Sequence, residues 1–172
     1  MRRLLTFIVA AAIAGPATAA LTVGTKAPDF ETTGAIAGHA FRLHLAEQLK
    51  KGPVVLYFFP KAFTGGCTAE AHAFSDATKA FKKAGAQVIG MSADDLPTLQ
   101  KFSVSECRNA FPVASASPAT IKAYDVKLPM INMTNRTSYV ITRDGRIMMV
   151  HSDMDWKDHV TKSLAAVQAL RH

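Results

Sequence analysis

The chain has 172 residues, of which 49% are hydrophobic and 19% charged, a composition typical of a globular protein and not of a disordered or fibrous one. The formal net charge is +7, but Lys and Arg are scattered and do not alternate with exposed aromatic residues, which excludes nucleic-acid binding and leaves a mild attraction to anionic surfaces. With 2 cysteines and no CxxC, HExxH or Cys/His cluster, the sequence predicts no disulfide framework, no metal site and no cofactor.

The N-terminal residues have the pattern of a secretory signal peptide. Met1–Arg3 is basic, Leu4–Ala14 is almost wholly apolar, and Ala17–Ala19 supplies the small residues that signal peptidase accepts. The apolar run has 11 residues, whereas a spanning helix needs roughly 20. We therefore predict a signal peptide over 1–19 and one exported domain over 20–172, in a bacterial periplasm and free of the membrane after cleavage. A retained membrane anchor is the alternative.

The first part of the mature chain predicts extended structure. Ala27–Phe30 contains a proline, and the residue before a proline avoids the helical region. Phe41–Leu45 alternates apolar and polar residues, which predicts a short, half-exposed strand. Val54–Phe59 is rich in β-branched and aromatic residues, as is typical of a strand buried on both faces.

Helices and strands then alternate along the chain. The loop Pro60–Gly66 precedes a run of apolar residues at helical spacing, for which Gly85 is a natural stop. Gln87–Met91 predicts a second buried strand. A helix is predicted over Leu96–Arg108, with an aspartate before it as the cap, and Phe111–Val113 begins a short extended piece.

The last third of the chain predicts a helix, a hairpin and a final helix. The first helix spans Pro118–Tyr124. Thr137–Thr142 and Arg146–Val150 form the hairpin, joined by the favoured Asp144-Gly145 turn. The final helix spans Trp156–Leu170. This order predicts one α/β domain with a mixed central sheet flanked by helices on both faces, consistent with a thioredoxin-like fold.

Cys67 lies where the loop meets the amphipathic helix, in the predicted first turn. Backbone N–H groups in a first turn have no helical partner, and the helix dipole adds partial positive charge, so a thiolate there is stabilised. Because the thiolate is the reactive form of cysteine, this position makes Cys67 a candidate nucleophile. Position alone also allows a buried structural cysteine.

The loop resembles the peroxiredoxin signature, in which a proline is followed by a threonine and then a cysteine; here these are Pro60, Thr64 and Cys67. The flanking residues are similar to the peroxiredoxin Q, or bacterioferritin-comigratory, subfamily, over nearly all of residues 22–170. The resemblance implies a thioredoxin-like fold and thiol-dependent reduction of hydrogen peroxide and organic hydroperoxides. The other matching segments are Phe58–Lys61, Cys67–Glu70, Ala27–Phe30, Gly90–Asp94, Lys101-Phe102, Phe111-Pro112 and Arg136–Ile141 with Asp144-Gly145.

The resemblance also implies a role for each residue of the site. Cys67 attacks the hydroperoxide as a thiolate and becomes a sulfenic acid. Thr64 donates its hydroxyl to the peroxide, and the backbone N–H groups of Gly66 and Cys67 supply further donors. Arg136 arrives from a distant strand to hold the thiolate and polarise the peroxide oxygens, which suits its fixed fork of donors. Pro60 limits the access of water to the pocket, or simply ends the strand.

Neighbouring residues leave alternatives open. Glu70 matches the family pattern and either pairs with an arginine such as Arg136 or is a first-turn acid that complements the helix dipole. Gly65 stands where the family more often has proline, which predicts a looser pocket. Three histidines, His72, His151 and His159, lack partners at metal-ligand spacing, and we predict that they are surface or supporting residues.

Recycling of the sulfenic acid requires a second thiol. Many peroxiredoxin Q members carry this thiol five residues after the first cysteine, where the present chain has His72. Cys107 lies near the end of the predicted helix Leu96–Arg108, on its apolar side. Three interpretations remain open: Cys107 forms a transient disulfide with Cys67 after local unwinding, Cys107 is structural while an external thiol resolves, or it pairs between molecules.

The resemblance thus implies an antioxidant, thioredoxin-dependent peroxidase without a cofactor. Its partners are a hydroperoxide and a thioredoxin-like or small-thiol reductant, and the expected state is a monomer or weak dimer. A thiol–disulfide oxidoreductase of the same fold is the first alternative, but the helix start lacks the CxxC pair that it requires. A non-catalytic exported binding domain is the second; its copper-handling form needs two cysteines separated by three residues, which this chain lacks.

Overall fold

Seven strands and five helices make up residues 20–170, the part of the chain that the computed structural model describes. The predicted signal peptide lies outside the described residues. The strands are β1 (Glu31–Ile36), β2 (His39–His44), β3 (Val54–Phe58), β4 (Gln87–Ser92), β5 (Val113–Ser115), β6 (Thr137–Ile141) and β7 (Ile147–Ser152). The helices are α1 (Leu45–Lys51), α2 (Gly65–Lys83), α3 (Leu96–Ser105), α4 (Pro118–Ala123) and α5 (Lys157–Ala169).

All strands join in one mixed sheet with the order β2-β1-β5-β4-β3-β6-β7. β3 runs parallel to β4 and antiparallel to β6. The predicted α/β fold with a thioredoxin-like mixed sheet is confirmed, as is the β6–β7 hairpin. Within residues 20–170, no helix combines the length and the apolar character that a membrane crossing requires.

The side chains of β3 alternate between two hydrophobic cores because successive residues of a strand point to opposite faces. Val55 and Tyr57 pack with apolar residues of α2, α3 and α5. Leu56 and Phe58 pack on the other face with residues of α1 and of the segment around α4. Every residue of β3 is buried, which confirms the predicted strand covered on both faces.

Two elements near the N-terminus were not predicted, β1 and α1. β1 contains Gly34, a residue that ordinarily weakens a strand. Here a Cβ at Gly34 would lie 2.8 Å from the carbonyl oxygen of Val113, so only glycine allows β5 to approach. α1 begins at Leu45, which the alternation had assigned to the preceding strand; Leu45 and Leu49 are its buried residues.

The third helix ends earlier than predicted. α3 ends at Ser105 rather than Arg108, so Cys107 lies beyond the helix. The backbone N–H of Cys107 donates to the carbonyl of Phe102 at 3.0 Å, and Arg108 and Asn109 then adopt left-handed φ angles of 51° and 58°. A helix cannot continue through such residues.

The register of the central strands determines where the chemistry-bearing loop lies. Phe58, the last residue of β3, pairs with Thr137, the first residue of β6. Because these strands are antiparallel, the end of β3 and the start of β6 lie at the same edge of the sheet. Arg136 is therefore beside the loop that follows β3, and the same loop leads into α2.

Candidate active site

Cys67 is the third residue of α2, and the residue is 2% exposed. The helix begins after Thr64, whose extended backbone (φ −83°, ψ 148°) marks the boundary. The backbone N–H of Thr68 donates to the Thr64 carbonyl at 2.9 Å, so the N–H groups before it belong to the first turn and have no i−4 carbonyl within the helix. These groups and the helix dipole favour negative charge at the Cys67 sulfur.

Arg136 uses all three guanidinium nitrogens. Nη2 donates to the Sγ of Cys67 at 3.5 Å, and Nε donates to the carbonyl of Met154 at 3.0 Å. Nη1 donates to the Oε2 of Glu70 in a buried ion pair. The Arg136 residue is 4% exposed, so a permanent positive charge is held against the thiol with little solvent between them.

Glu70 is completely buried. Because α2 begins at Gly65, Glu70 lies in the second turn of the helix, so the alternative of a first-turn acid is wrong. Burial raises the pKa of Glu70, whereas the charge and the hydrogen bond of Arg136 act in the opposite direction and favour the ionised carboxylate. Its Oε2 is the oxygen that accepts from Arg136, while Oε1 has no hydrogen-bond partner.

Gly66 lies next to the guanidinium group of Arg136. A Cβ at this position would be 3.2 Å from Nη2 of Arg136 and 3.8 Å from Cδ1 of Trp156. Any larger residue would therefore push on the arginine that contacts Cys67. The absence of a side chain at Gly66 allows the strand and the helix N-terminus to meet this closely.

Pro60 and Thr64 precede Cys67, in the loop that joins β3 to α2. The Thr64 hydroxyl donates to the carbonyl of Lys61 at 2.9 Å and does not cap α2. Thr64 is exposed, and Pro60 is half-buried just after β3. The structure thus brings Arg136, Gly66 and Cys67 together, while the hydroxyl of Thr64 has a carbonyl of its own loop as its partner.

Two polar residues to which the sequence analysis assigned no role in the site hold this loop; one of them, Asp94, precedes Asp95, the residue that caps α3. The carboxylate of Asp94 accepts from the backbone N–H of Ala62 at 2.8 Å. The hydroxyl of Thr134 donates to the carbonyl of Phe59 at 2.7 Å. Asp94 lies just beyond β4, the strand next to β3, so its position at the shared sheet edge was the signal that could have identified it.

Cys107 is also buried, and both thiols are free. Burial raises the pKa of Cys107 well above its usual range. The hydroxyl of Ser75 donates to the Cys107 carbonyl at 2.8 Å. Ser75 is eight residues after Cys67 in α2, which corresponds to about 12 Å along the helix axis.

The segment around Cys107 is fastened to α2 on either side. Nε2 of His72 lies 2.9 Å from Oε2 of Glu106, and Nη1 of Arg108 donates to Asp76 at 2.9 Å. The α2 residues that make these contacts lie on one face of the helix because residues three and four apart are neighbours. For the stretch 20–170, no group of three or more His, Cys, Asp or Glu residues could hold a metal ion.

Comparison with known proteins gives a consistent result. Residues 23–150 match the AhpC/TSA family. Peroxiredoxin Bcp of Bacillus subtilis is 29% identical over 154 residues, 86% of this chain and 96% of that protein. Chloroplastic peroxiredoxin Q of Populus jackii is 33% identical over 126 residues, 72% of this chain and 59% of that protein. The crystal structure of peroxidoxin BcpB from Mycobacterium tuberculosis superposes with a TM-score of 0.79 at 32% identity, covering 87% of this chain and 98% of that one.

Proposed function

Because the chain belongs to the AhpC/TSA family and is a thiol-dependent peroxidase, we propose that Cys67 is the thiol that attacks the hydroperoxide. The observation that carries this assignment is the 3.5 Å contact between Nη2 of Arg136 and Sγ of Cys67. The thiolate is the nucleophilic form of cysteine, and a buried guanidinium at a helix N-terminus favours that form. Cys107 differs from Cys67 in position and surroundings: it lies beyond the end of α3, and burial raises its pKa and so opposes its ionisation.

The reaction is a displacement on oxygen. The Cys67 thiolate forms a bond to the terminal oxygen of the hydroperoxide while the O–O bond breaks, which leaves a sulfenic acid. The departing alkoxide or hydroxide takes up a proton and leaves as alcohol or water. Negative charge builds up on both oxygens, and Nη2 of Arg136 with the N–H groups of Gly66 and Cys67 stabilises it from fixed positions.

Thr64 and Pro60 complete the proposed pocket. The Thr64 hydroxyl rotates away from the Lys61 carbonyl when peroxide arrives, and then donates to a peroxide oxygen. A hydroxyl can do this because its hydrogen bond to a carbonyl of an exposed loop is easily exchanged. Pro60, half-buried after β3, restricts the access of water to the sulfur.

Cys107 is our candidate for the resolving thiol. Its sulfur attacks the Cys67 sulfenic acid, a disulfide forms, and water leaves; a thioredoxin-like or small-thiol reductant then restores both thiols. Disulfide Cα atoms must come within about 7 Å, so the segment after α3 has to leave α2 first. Support comes from its position outside the helix, because a loop opens without the unwinding of a helical turn.

Peroxide consumption by single variants tests both assignments. Loss of hydrogen peroxide is followed with dithiothreitol and, separately, with a thioredoxin system, for wild type, Cys67→Ser and Cys107→Ser. We expect no turnover in Cys67→Ser with either reductant, and turnover in Cys107→Ser with dithiothreitol only. Full turnover in Cys67→Ser contradicts the attacking role. Thioredoxin-driven turnover in Cys107→Ser instead assigns resolution to an external thiol.

We also propose export to a bacterial periplasm, with residues 1–19 removed, and action there as a monomer or weak dimer. The basic start, the short apolar run and the small residues before Ala20 support this proposal. The test is the intact mass of the protein from the periplasmic fraction, followed by sedimentation velocity. A mass that retains residues 1–19, or a stable higher oligomer, contradicts it.

A further inference from the structure

His159 of α5 is completely buried, and its two ring nitrogens have partners. Nδ1 lies 2.8 Å from the hydroxyl oxygen of Ser138, and Nε2 lies 2.9 Å from the carbonyl oxygen of Asp153. Nδ1 is also 3.8 Å from Oε1 of Glu70, the oxygen without a hydrogen-bond partner. A single imidazole therefore contacts β6, the segment before α5 and α2.

The residues that His159 contacts are next to the residues that hold Arg136. Ser138 is the second residue of β6, and Arg136 directly precedes that strand. The backbone N–H of Asp153 donates to the carbonyl of Arg136 at 3.2 Å. The next residue, Met154, supplies the carbonyl that accepts from Nε of Arg136. His159 thus contacts the two segments that adjoin Arg136, which are β6 and the loop before α5.

The hydrogen bonds determine the form of the ring. A carbonyl oxygen only accepts, so Nε2 carries the hydrogen, and Nδ1 accepts from the Ser138 hydroxyl. Burial lowers the pKa of His159 to about 4, against the opposing effect of the hydrogen bond to the Asp153 carbonyl. A neutral ring does not compete with Arg136 for the carboxylate of Glu70.

We propose that His159 is the positioning residue that directs Nη2 of Arg136 toward Sγ of Cys67. The inference rests on the proposed function of Cys67 and Arg136, and it adds a residue that touches no reacting atom. His159 acts by fixing the Asp153 carbonyl, and with it the neighbouring carbonyl to which Nε of Arg136 donates. A merely structural His159 would support α5 without any effect on the contact between arginine and thiol.

Three variants separate these roles. His159→Leu removes both hydrogen bonds while keeping apolar volume, and His159→Gln keeps a donor that can reach the Asp153 carbonyl. Val167→Ala is the matched control, because it truncates a buried residue of the same helix two turns away from His159. Each is prepared in the Cys107→Ser background, so that only Cys67 reacts.

Two measurements follow Cys67 directly. The rate constant for its oxidation by hydrogen peroxide is recorded by stopped-flow fluorescence of Trp156, the one tryptophan of the chain, which lies beside Gly66. The second measurement is the rate of Cys67 alkylation by iodoacetamide as a function of pH. Alkylation requires no peroxide, so it reports the contact between Arg136 and the thiol even where peroxidase turnover fails.

We expect His159→Leu to lower the oxidation rate constant by about 10- to 100-fold, because a small displacement of a catalytic group has effects of this size. The alkylation midpoint should move up by about one pH unit, because the arginine charge no longer faces the sulfur. His159→Gln should stay within about threefold of the parent rate constant, because the glutamine keeps a donor for the Asp153 carbonyl and only one hydrogen bond is lost. Val167→Ala should lose thermal stability and keep both values.

The Arg136→Ala background provides the decisive comparison. If His159 acts through Arg136, His159→Leu has no further effect on the alkylation midpoint once the arginine is gone. An unchanged midpoint in the single variant, or an equal shift in both backgrounds, overturns the inference. If His159→Leu does not fold, Ser138→Ala takes its place, and it should show a smaller upward shift; no shift there overturns the inference as well. Failure of the proposed function is distinct, because it appears as turnover in Cys67→Ser.

Discussion

The contact between an arginine and a sulfur depends on a residue that contributes no side chain at all. Nη2 of Arg136 stands 3.2 Å from where a Cβ of Gly66 would be, closer than an ordinary van der Waals contact. The guanidinium is further held by Glu70 and by the Met154 carbonyl, so it cannot move aside freely. At the residue scale, the geometry of the site therefore depends on the lack of a side chain at Gly66 as well as on the charges of Arg136 and Glu70.

We predict that Gly66→Ala lowers the peroxide rate constant of Cys67 by about tenfold, because the methyl group displaces the arginine. Gly65→Ala is the matched control, since a Cβ there meets no atom within 4 Å. Stopped-flow oxidation of both variants is the measurement. Equal rate constants for the two alanine variants would show that the close approach at Gly66 has no role in the reaction.

The burial of His159 should make the free energy of unfolding depend on pH in the acid range. Burial lowers its pKa from the ordinary value of 6.5 to about 4, so between these pH values the unfolded chain binds a proton that the folded chain does not. The free energy of unfolding therefore falls as the pH falls from 6.5 to 4, and this contribution is constant above that window. Urea unfolding of wild type and His159→Gln at pH 7 and 4.5 measures it. Wild type should lose more stability than the variant; an identical loss contradicts the prediction.

At the scale of single elements, the start of α2 can accept a proline in place of Gly65. Gly65 is the first helical residue, and Thr64 before it already has the extended backbone (φ −83°, ψ 148°) that a following proline requires. A proline also reduces the conformational entropy of the unfolded chain.

We therefore predict that Gly65→Pro raises the free energy of unfolding by about 0.4–1 kcal/mol. The rate of peroxide reduction should be retained, because nothing lies within 4 Å of a Cβ at Gly65. Denaturant unfolding and peroxide consumption measure the two effects. A lower free energy of unfolding than that of wild type would indicate that the α2 N-terminus does not tolerate the ring.

The segment that follows α3 is the element whose opening the resolving step requires. Ser75 holds it through the Cys107 carbonyl, so Ser75→Ala should raise the open fraction about fivefold, as expected for the loss of roughly 1 kcal/mol. In a Cys67→Ser background, the labelling rate of Cys107 by a thiol reagent reports this fraction. Ser105→Ala is the control, because its exposed hydroxyl bonds within α3 itself. Equal labelling rates for the two variants contradict the prediction.

At the scale of the whole molecule, the reactive site joins residues that are 69 positions apart in the chain. They meet because β3 and β6 are antiparallel and in register from Phe58 and Thr137. The supporting residues come from still other elements, Asp94 after β4 and His159 in α5. The ends of β3 and β4 and the start of β6, which are far apart in the sequence, thus lie together at one edge of the sheet, where the loop before α2 begins.

Residues 24–26 pair with the start of β7, the strand at one edge of the sheet. The N–H of Gly24 donates to the carbonyl of Ile147 at 2.8 Å, and Thr25 accepts from Ile147 at 2.9 Å. We predict that removal of residues 1–19 leaves the midpoint of thermal unfolding unchanged. Removal of 1–26 also removes the bonds from the Leu21 N–H to the Tyr139 hydroxyl and from Arg146 to the Gly24 carbonyl. It should lower the free energy of unfolding by roughly 4 kcal/mol, about 1 kcal/mol for each of the four bonds. Differential scanning calorimetry distinguishes the two, and equal stability of both truncations contradicts the prediction.

The sequence by itself was enough to predict the α/β fold, the buried β3 and the family to which the chain belongs. It also predicted Cys67 at a helix N-terminus, because loop composition, apolar periodicity and a contiguous signature are local properties. It did not predict β1 or α1, and it extended α3 by three residues past its end at Ser105. The two omissions share a cause: a glycine-containing strand and a short helix are stabilised by their neighbours rather than by their own pattern. The early end of α3 has a different cause, the left-handed backbone of Arg108 and Asn109.

Only the tertiary structure decided which partners each functional side chain has. Arg136 was identified by resemblance, but its contacts with Glu70 and with the Met154 carbonyl depend on the packing of α2, β6 and the segment before α5. The role that we infer for His159 has no sequence signal, because a histidine on a helix face is the same whether it meets water or a buried serine. Cys67 could be recognised where it stands in the chain, whereas the environment that would make it reactive exists only once distant strands are in register.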